Sequence, residues 1–305
     1  MYSIIRILFL QVLLSIGLTG CMDAQQSQRD DALWKEAQKI HQQATVFDAH
    51  AHGLTFPDNT RAASSNEECQ LTPEKMERGG VDGTGLFFAY QPLRDHSLSV
   101  QVKRDMAILK EKLRNDAGQL SLCGNIRESV EAVSAGRKAI LPGVEYFYGT
   151  FKGDLRQLDS LYSYGIRSIT LMDNGKDQLM HSSDDSQKPE LNSFGRKIID
   201  RMNALGMAID ISHLYDPGQM QVIEYSEAPV IASHSPVRVV HDVPRNVPDS
   251  ILRALAEKGG AIMITFNSGV LDGKKMGRTH IDALIDHIDH AVQVAGIKEA
   301  IKGKR

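Results

Sequence analysis

From Ala44 onward the chain repeats one pattern: a short apolar run, then a longer amphipathic stretch, then another short apolar run. The runs are Ala44 to Asp48, Gly83 to Ala89, Ala139 to Leu141, Ser168 to Leu171, Met207 to Ile211, Pro229 to Ala232 and Ala261 to Phe266. Helical stretches lie between or after them at Ser99 to Asn115, Phe194 to Leu205, Ser250 to Glu257 and Ile281 to Ala295. Strand, helix and parallel strand in repetition predict an α/β fold with a parallel sheet. Seven strands exceed one nucleotide-binding unit, and no GxGxxG or P-loop sits at a strand-to-helix turn. A TIM-type (β/α) barrel accounts for the pattern, and 305 residues suffice for one. The segment after Gly296 holds Lys298, Glu299, Lys302, Lys304 and Arg305 and offers little apolar material for an eighth strand. The expected barrel lacks that strand.

The first residues follow another logic. Met1 to Arg6 carries one positive charge, Ile7 to Leu18 is an apolar run, and Leu18-Thr19-Gly20-Cys21 follows. The run is short for a bilayer span but suits the core of a signal peptide. Residues 1–20 therefore read as a lipoprotein signal peptide with Cys21 as the lipidated residue, and two acyl chains give stable anchoring. Residues 21–43 read as a polar tether and lead-in helix, and 44–305 as the barrel. Met22 in place of Asp points to the outer membrane of a Gram-negative host, facing the periplasm. Cys69 and Cys123 would meet an oxidising compartment; a disulfide and two separate thiols are both compatible with the sequence. The formal net charge of -3 comes with no basic block, which excludes nucleic acid as a partner.

Metal-binding residue types recur at the ends of these strands. The first runs into His50-Ala51-His52, the third into Gly143-Val144-Glu145, the fifth into Ser212-His213 and the sixth into Ser233-His234-Ser235. Barrel enzymes build their sites at such strand ends. Neutral imidazoles suit zinc, and one carboxylate can bridge two ions. Glu145 is singled out because burying a carboxylate without partners costs several kcal/mol. His287 and His290, three apart beside Asp286 and Asp289, are of ligand type but read as a solvated or cap-side helix face, because barrel helices lie outside the site.

Four blocks, Asp48-Ala49-His50, Gly143-Val144-Glu145, Leu205 to His213 and Pro229 to Ser235, resemble the motifs of the membrane dipeptidase family in order, as do Arg245 to Asp249 and His287 to His290. The resemblance implies a zinc metallopeptidase, a hydrolase cleaving dipeptides with a hydroxide shared between two ions. His50 would bind the first ion, with His52 in reach; Glu145 would bridge; His213 and His234 would bind the second. Arg245 would meet the substrate carboxylate, and the family commonly forms homodimers. There are departures. The family has Asp where this chain has His52, a fourth-strand His is replaced near Asp173, a Tyr is replaced by Asn267, and the family's catalytic aspartate has no counterpart. Two other readings therefore stand beside the dipeptidase: another amidohydrolase-type metal hydrolase, and a truncated or inactive dipeptidase-like lipoprotein.

Overall fold

Strands buried on both faces become near-continuous apolar runs, because helices cover each side of a parallel sheet. The third expected strand shows this directly, with six of the eight residues of Lys138–Glu145 buried. The computed structural model describes residues 30–55, 61–62, 71–89, 98–115, 118–145, 153–171, 191–273 and 281–296. It divides into two units, Met1–Val46 and Phe47–Arg305. In the first, the described part is a helix, α1, over residues 30–43 with its side chains exposed. The expected signal peptide, Cys21, Cys69 and Asp173 lie outside the described residues.

The second unit runs β1 (Phe47–His52), β2 (Leu54–Thr55), β3 (Arg61–Ala62), α2 (Pro73–Arg78), β4 (Gly83–Ala89), α3 (Leu98–Asn115), β5 (Leu120–Leu122), α4 (Ile126–Ser134) and β6 (Lys138–Glu145). It continues α5 (Arg156–Tyr164), β7 (Ser168–Thr170), α6 (Ser193–Leu205), β8 (Ala208–Asp210), α7 (Asp216–Tyr225), β9 (Ile231–Ala232), α8 (Asp249–Lys258), β10 (Ala261–Ile262), α9 (Ser268–Leu271) and α10 (Ile281–Ala295). The main sheet follows β1-β4-β6-β7-β8-β9-β10, parallel throughout, and these are the seven expected strands in their expected order. An eighth, β5, pairs with the start of β6. It escapes the sequence reading because Leu-Ser-Leu is too short to show a period.

The sheet is strongly curled. Four strands separate β1 from β9, so a flat sheet would hold them about 24 Å apart. Instead the His50 ring on β1 lies 3.9 Å from the ring of His234, two residues past β9. Among the described residues the architecture is that of a TIM-type barrel lacking one strand, with β1 and β10 at the two ends of the path. Phe47, which opens β1, is exposed, as is Phe266 in the segment that follows β10.

Strand boundaries shift at both ends of the path. The first strand starts later than expected and runs through His50 and His52, with an irregular register against β4 between Asp48 and Ala51. Opposite that irregularity a Cβ on Gly85 would lie 2.3 Å from the Ala49 carbonyl oxygen, so only glycine lets β1 and β4 approach. The last strand ladder is shorter than expected, ending at Ile262, although Met263 N–H still donates to the Ala232 carbonyl at 2.9 Å. Entry into β8 is set by Gly206, which ends α6 at φ 67°, a left-handed conformation glycine adopts without a Cβ penalty.

His287 corrects an expectation. It is fully buried, not solvated: its Nδ1 accepts from Val237 N–H at 3.0 Å and its Nε2 donates to the Leu271 carbonyl at 2.9 Å. His290 pairs with Asp249 Oδ1 at 2.7 Å, tying α10 to α8. Both histidines hold the α10 helix in place, and neither reaches the strand ends.

Candidate metal centre

Glu145 closes β6 with its side chain 1% exposed, and burial of that kind demands partners. Four imidazoles supply them. His50 Nε2 and His52 Nε2 lie 3.2 and 2.7 Å from Oε2. His213 Nε2 and His234 Nε2 lie 2.9 and 3.2 Å from Oε1. Each carboxylate oxygen therefore faces its own pair of ring nitrogens, and within each pair the nitrogens are 3.0 and 2.8 Å apart. The five residues come from four strand ends, so the curl of the sheet is what assembles them.

Two of these side chains sit where the chain is locally unusual. His213 has φ 68°, the one positive φ outside glycine among the described residues. A left-handed residue with a Cβ is strained, and such strain collects at functional sites. His50 stacks on Phe87 with ring centroids 3.9 Å apart and planes 16° from parallel. Phe87 has room only because residue 143 is glycine, since a Cβ there would lie 2.6 to 2.9 Å from three ring carbons. The Gly143-Val144-Glu145 block thus places the carboxylate and clears space for the ring behind His50.

The electrostatics favour an ionised Glu145 beside neutral His213 and His234. Burial pushes the Glu145 pKa up, but the four surrounding imidazoles outweigh it and hold the group well below the usual carboxylate range. Burial lowers His213, and burial together with the neighbouring His50 lowers His234 to about 3. Neutral imidazole with its Nε2 lone pair turned inward is the form that binds metals.

These residues fit a divalent metal. Oε1 of Glu145 is buried and makes no hydrogen bond among the described residues, although two ring nitrogens lie within 3.2 Å of it. Proximity without hydrogen-bond alignment is what ligands converging on a common point would show. In a tetrahedral site with bonds of about 2.0–2.1 Å, neighbouring ligand atoms sit about 3.3 Å apart, close to the separations here. Ligand atoms of His50, Glu145 and His234 all lie within 4.8 Å of one another.

A buried layer beneath was not singled out from the sequence. Asp210 is fully buried at the end of β8. Its Oδ1 accepts the backbone N–H groups of Ser212 at 3.0 Å and Ser233 at 2.9 Å. Its Oδ2 accepts the hydroxyls of Thr170 at 2.6 Å and Ser233 at 2.5 Å. The signal was present, because Asp210 is another carboxylate closing an apolar run. Arg245 reaches the rim, donating to Ser235 Oγ at 3.0 Å and to the His234 carbonyl at 2.9 Å. Asn267 instead caps α9 through Gly269 N–H.

The family model for membrane dipeptidases, peptidase family M19, matches residues 34–301. The chain belongs to the membrane dipeptidase family. Among curated relatives of the family, Dipeptidase 3 of Macaca fascicularis is 37% identical over 175 residues, which is 55% of this chain and 35% of that protein. The chain thus spans about a third of that relative's length. Two solved structures share the fold. The probable dipeptidase PvdM from Pseudomonas aeruginosa has a TM-score of 0.71 at 20% identity, over 86% of this chain and 84% of that one. A metallo peptidase from Rhodobacter sphaeroides, liganded with a phosphinate mimic of the dipeptide L-Ala-D-Ala, has a TM-score of 0.66 at 21% identity, over 83% and 84%.

Proposed function

We propose that the chain is a zinc-dependent dipeptidase in which two ions flank Glu145. The observation that carries this reading is the division of the site: His50, His52 and Oε2 on one side, His213, His234 and Oε1 on the other. Bound zinc would acidify water and polarise a peptide carbonyl. The chain's residues do the rest. Glu145 stays ionised and is shared by both sides. The four imidazoles present ring nitrogens to the two carboxylate oxygens, and His52 makes the first side a two-imidazole site. Arg245, beside the His234 backbone, binds the dipeptide's C-terminal carboxylate with a planar fork of donors. The family and the dipeptide mimic bound by the Rhodobacter sphaeroides relative support dipeptides as substrates, including those with a D-residue at the C-terminal position.

The same reading extends to the chain's setting. Residues 1–20 are a signal peptide, Cys21 carries the lipid, and the barrel faces the periplasm from a membrane surface, as a monomer or a homodimer. Among the described residues no helix is long and apolar enough to cross a membrane.

The test is direct. The purified chain is stripped with a chelator, reloaded with zinc, and assayed for alanine release from L-Ala-D-Ala and L-Ala-L-Ala. Metal-dependent release, lost in Glu145→Gln together with bound zinc on both sides, is the expected result. A folded parent that takes up no zinc, or takes it up and cleaves no dipeptide, overturns the reading.

A further inference from the structure

One hydroxyl touches both sides of the site. Ser233 Oγ lies 2.8 Å from His50 Nδ1 and 2.8 Å from His234 Nδ1, as well as 2.5 Å from Asp210 Oδ2. A serine hydroxyl has one proton and two lone pairs. Asp210 collects four donors, two of them backbone N–H groups on Oδ1, which is the environment of an ionised acceptor. The Ser233 proton therefore goes to Asp210. Both lone pairs of Ser233 Oγ then accept, one from His50 Nδ1–H and one from His234 Nδ1–H.

We propose that Ser233 and Asp210 are positioning residues that set the tautomers of His50 and His234 together, turning both Nε2 lone pairs toward Glu145. A neutral ring at either position holds its proton on Nδ1, because Nδ1 faces an oxygen with no proton left to give. His50 serves Oε2 and His234 serves Oε1, so a single hydroxyl couples the two sides. The 3.9 Å contact between these rings brings both Nδ1 atoms to the one oxygen. Thr170, reaching Asp210 from β7, keeps the carboxylate from turning away.

The coupling has a signature that loss of one ligand lacks. Removing a histidine ligand weakens its own side, whereas removing the Ser233 hydroxyl frees both rings to swap tautomer and weakens both. Asp210→Asn acts differently. Its amide donates to Ser233 Oγ, the serine proton turns to one of the two Nδ1 atoms, and that ring alone moves its proton to Nε2.

This proposal rests on the metal-centre reading for its effect on affinity, but the tautomers themselves are measurable without metal. Histidine is labelled with nitrogen-15 in the full chain, metal-free at neutral pH, and His50 and His234 are assigned with His50→Gln and His234→Gln. Both rings should carry their proton on Nδ1; either ring protonated on Nε2 alone overturns the proposal, even if every Ser233 or Asp210 variant fails to fold. Zinc affinity is then measured by competition with a chromophoric chelator. Ser233→Ala should weaken zinc binding on both sides by about 10–100-fold, and Ser233→Thr, which keeps the hydroxyl, should recover most of it. A folded Ser233→Ala with parental affinity overturns the proposal. A parent that binds no zinc sinks the dipeptidase reading instead, while the ring tautomers still decide this one.

Discussion

His50 and Phe87 stack face to face, 3.9 Å apart, and Gly143 is the residue that lets them. A methyl group at position 143 would press into the Phe87 ring, which cannot retreat without disturbing His50. Gly143→Ala should cost about 1–3 kcal/mol in urea unfolding, the range for overpacking a filled core. Shortening the ring should relieve the clash, so Gly143→Ala with Phe87→Leu should be less destabilised than the two single changes added together. Strict additivity would show that Phe87 and position 143 do not compete for the same space.

The left-handed backbone at His213 is a cost the fold carries for its site. Both His213→Ala and His213→Gly remove the imidazole, but only glycine removes the strain. The glycine variant should therefore be more stable than the alanine variant by about 1 kcal/mol, judged by thermal unfolding of the metal-free proteins. Equal stabilities would mean that the loop relaxes once the imidazole is gone.

The order of strands and the residues at their ends were legible in the sequence because both are local. Gly143-Val144-Glu145 closes an apolar run whatever lies across the barrel, and His50 and His52 share a face of one strand. What was not legible depends on distant parts of the chain meeting. His287 looks solvated from its acidic neighbours, yet it is buried against Val237 and Leu271, residues 50 and 16 positions away. Asp210 reads as a polar end to a strand until Thr170 and Ser233 are brought against it from neighbouring strands. The short strand β5 lacks enough residues to declare a period, and only its pairing with β6 reveals it.

His287 gives the fold a pH dependence with a definite sign. Burial lowers its pKa from the ordinary 6.5, partly countered by the Leu271 carbonyl that it donates to. The folded chain thus binds this proton less readily than the unfolded chain. The stability His287 contributes is complete above about pH 6.5 and is lost as pH falls below it toward the lowered folded value, at up to about 1.4 kcal/mol per pH unit. Urea unfolding from pH 8 to pH 5 should show this loss, and His287→Gln should flatten it. A slope unchanged by His287→Gln would assign the acid sensitivity to other groups.

The proposed anchor at Cys21 is tested apart from the barrel. With the lipid attached, the protein should enter the detergent phase when a membrane extract is partitioned. Cys21→Ser should move it to the aqueous phase or stall removal of residues 1–20, because one polar atom replaces the site of two acyl chains. Unchanged detergent partitioning of the serine variant would end the lipoprotein proposal without touching the metal centre.

Arg245 separates a dipeptidase from other metal hydrolases sharing the same donor set. Its guanidinium is held by Ser235 Oγ and the His234 carbonyl, so its position is fixed by the residue proposed to serve Oε1 of Glu145. A carboxylate bound there is oriented as well as attracted, since a planar fork meets two oxygens where an ammonium meets a point. Arg245→Lys keeps the charge and loses the fork. It should raise KM for L-Ala-D-Ala by about tenfold or more, corresponding to one charge-assisted hydrogen bond of about 1.5–3 kcal/mol, with a smaller change in kcat. A dipeptide amide lacks the carboxylate, so its poorer turnover should be almost unaffected by the same substitution. If both substrates suffer equally, Arg245 is acting through the backbone of His234 and not on the carboxylate. The site would then have to recognise its substrate by other groups, and a dipeptide would lose its main claim on it.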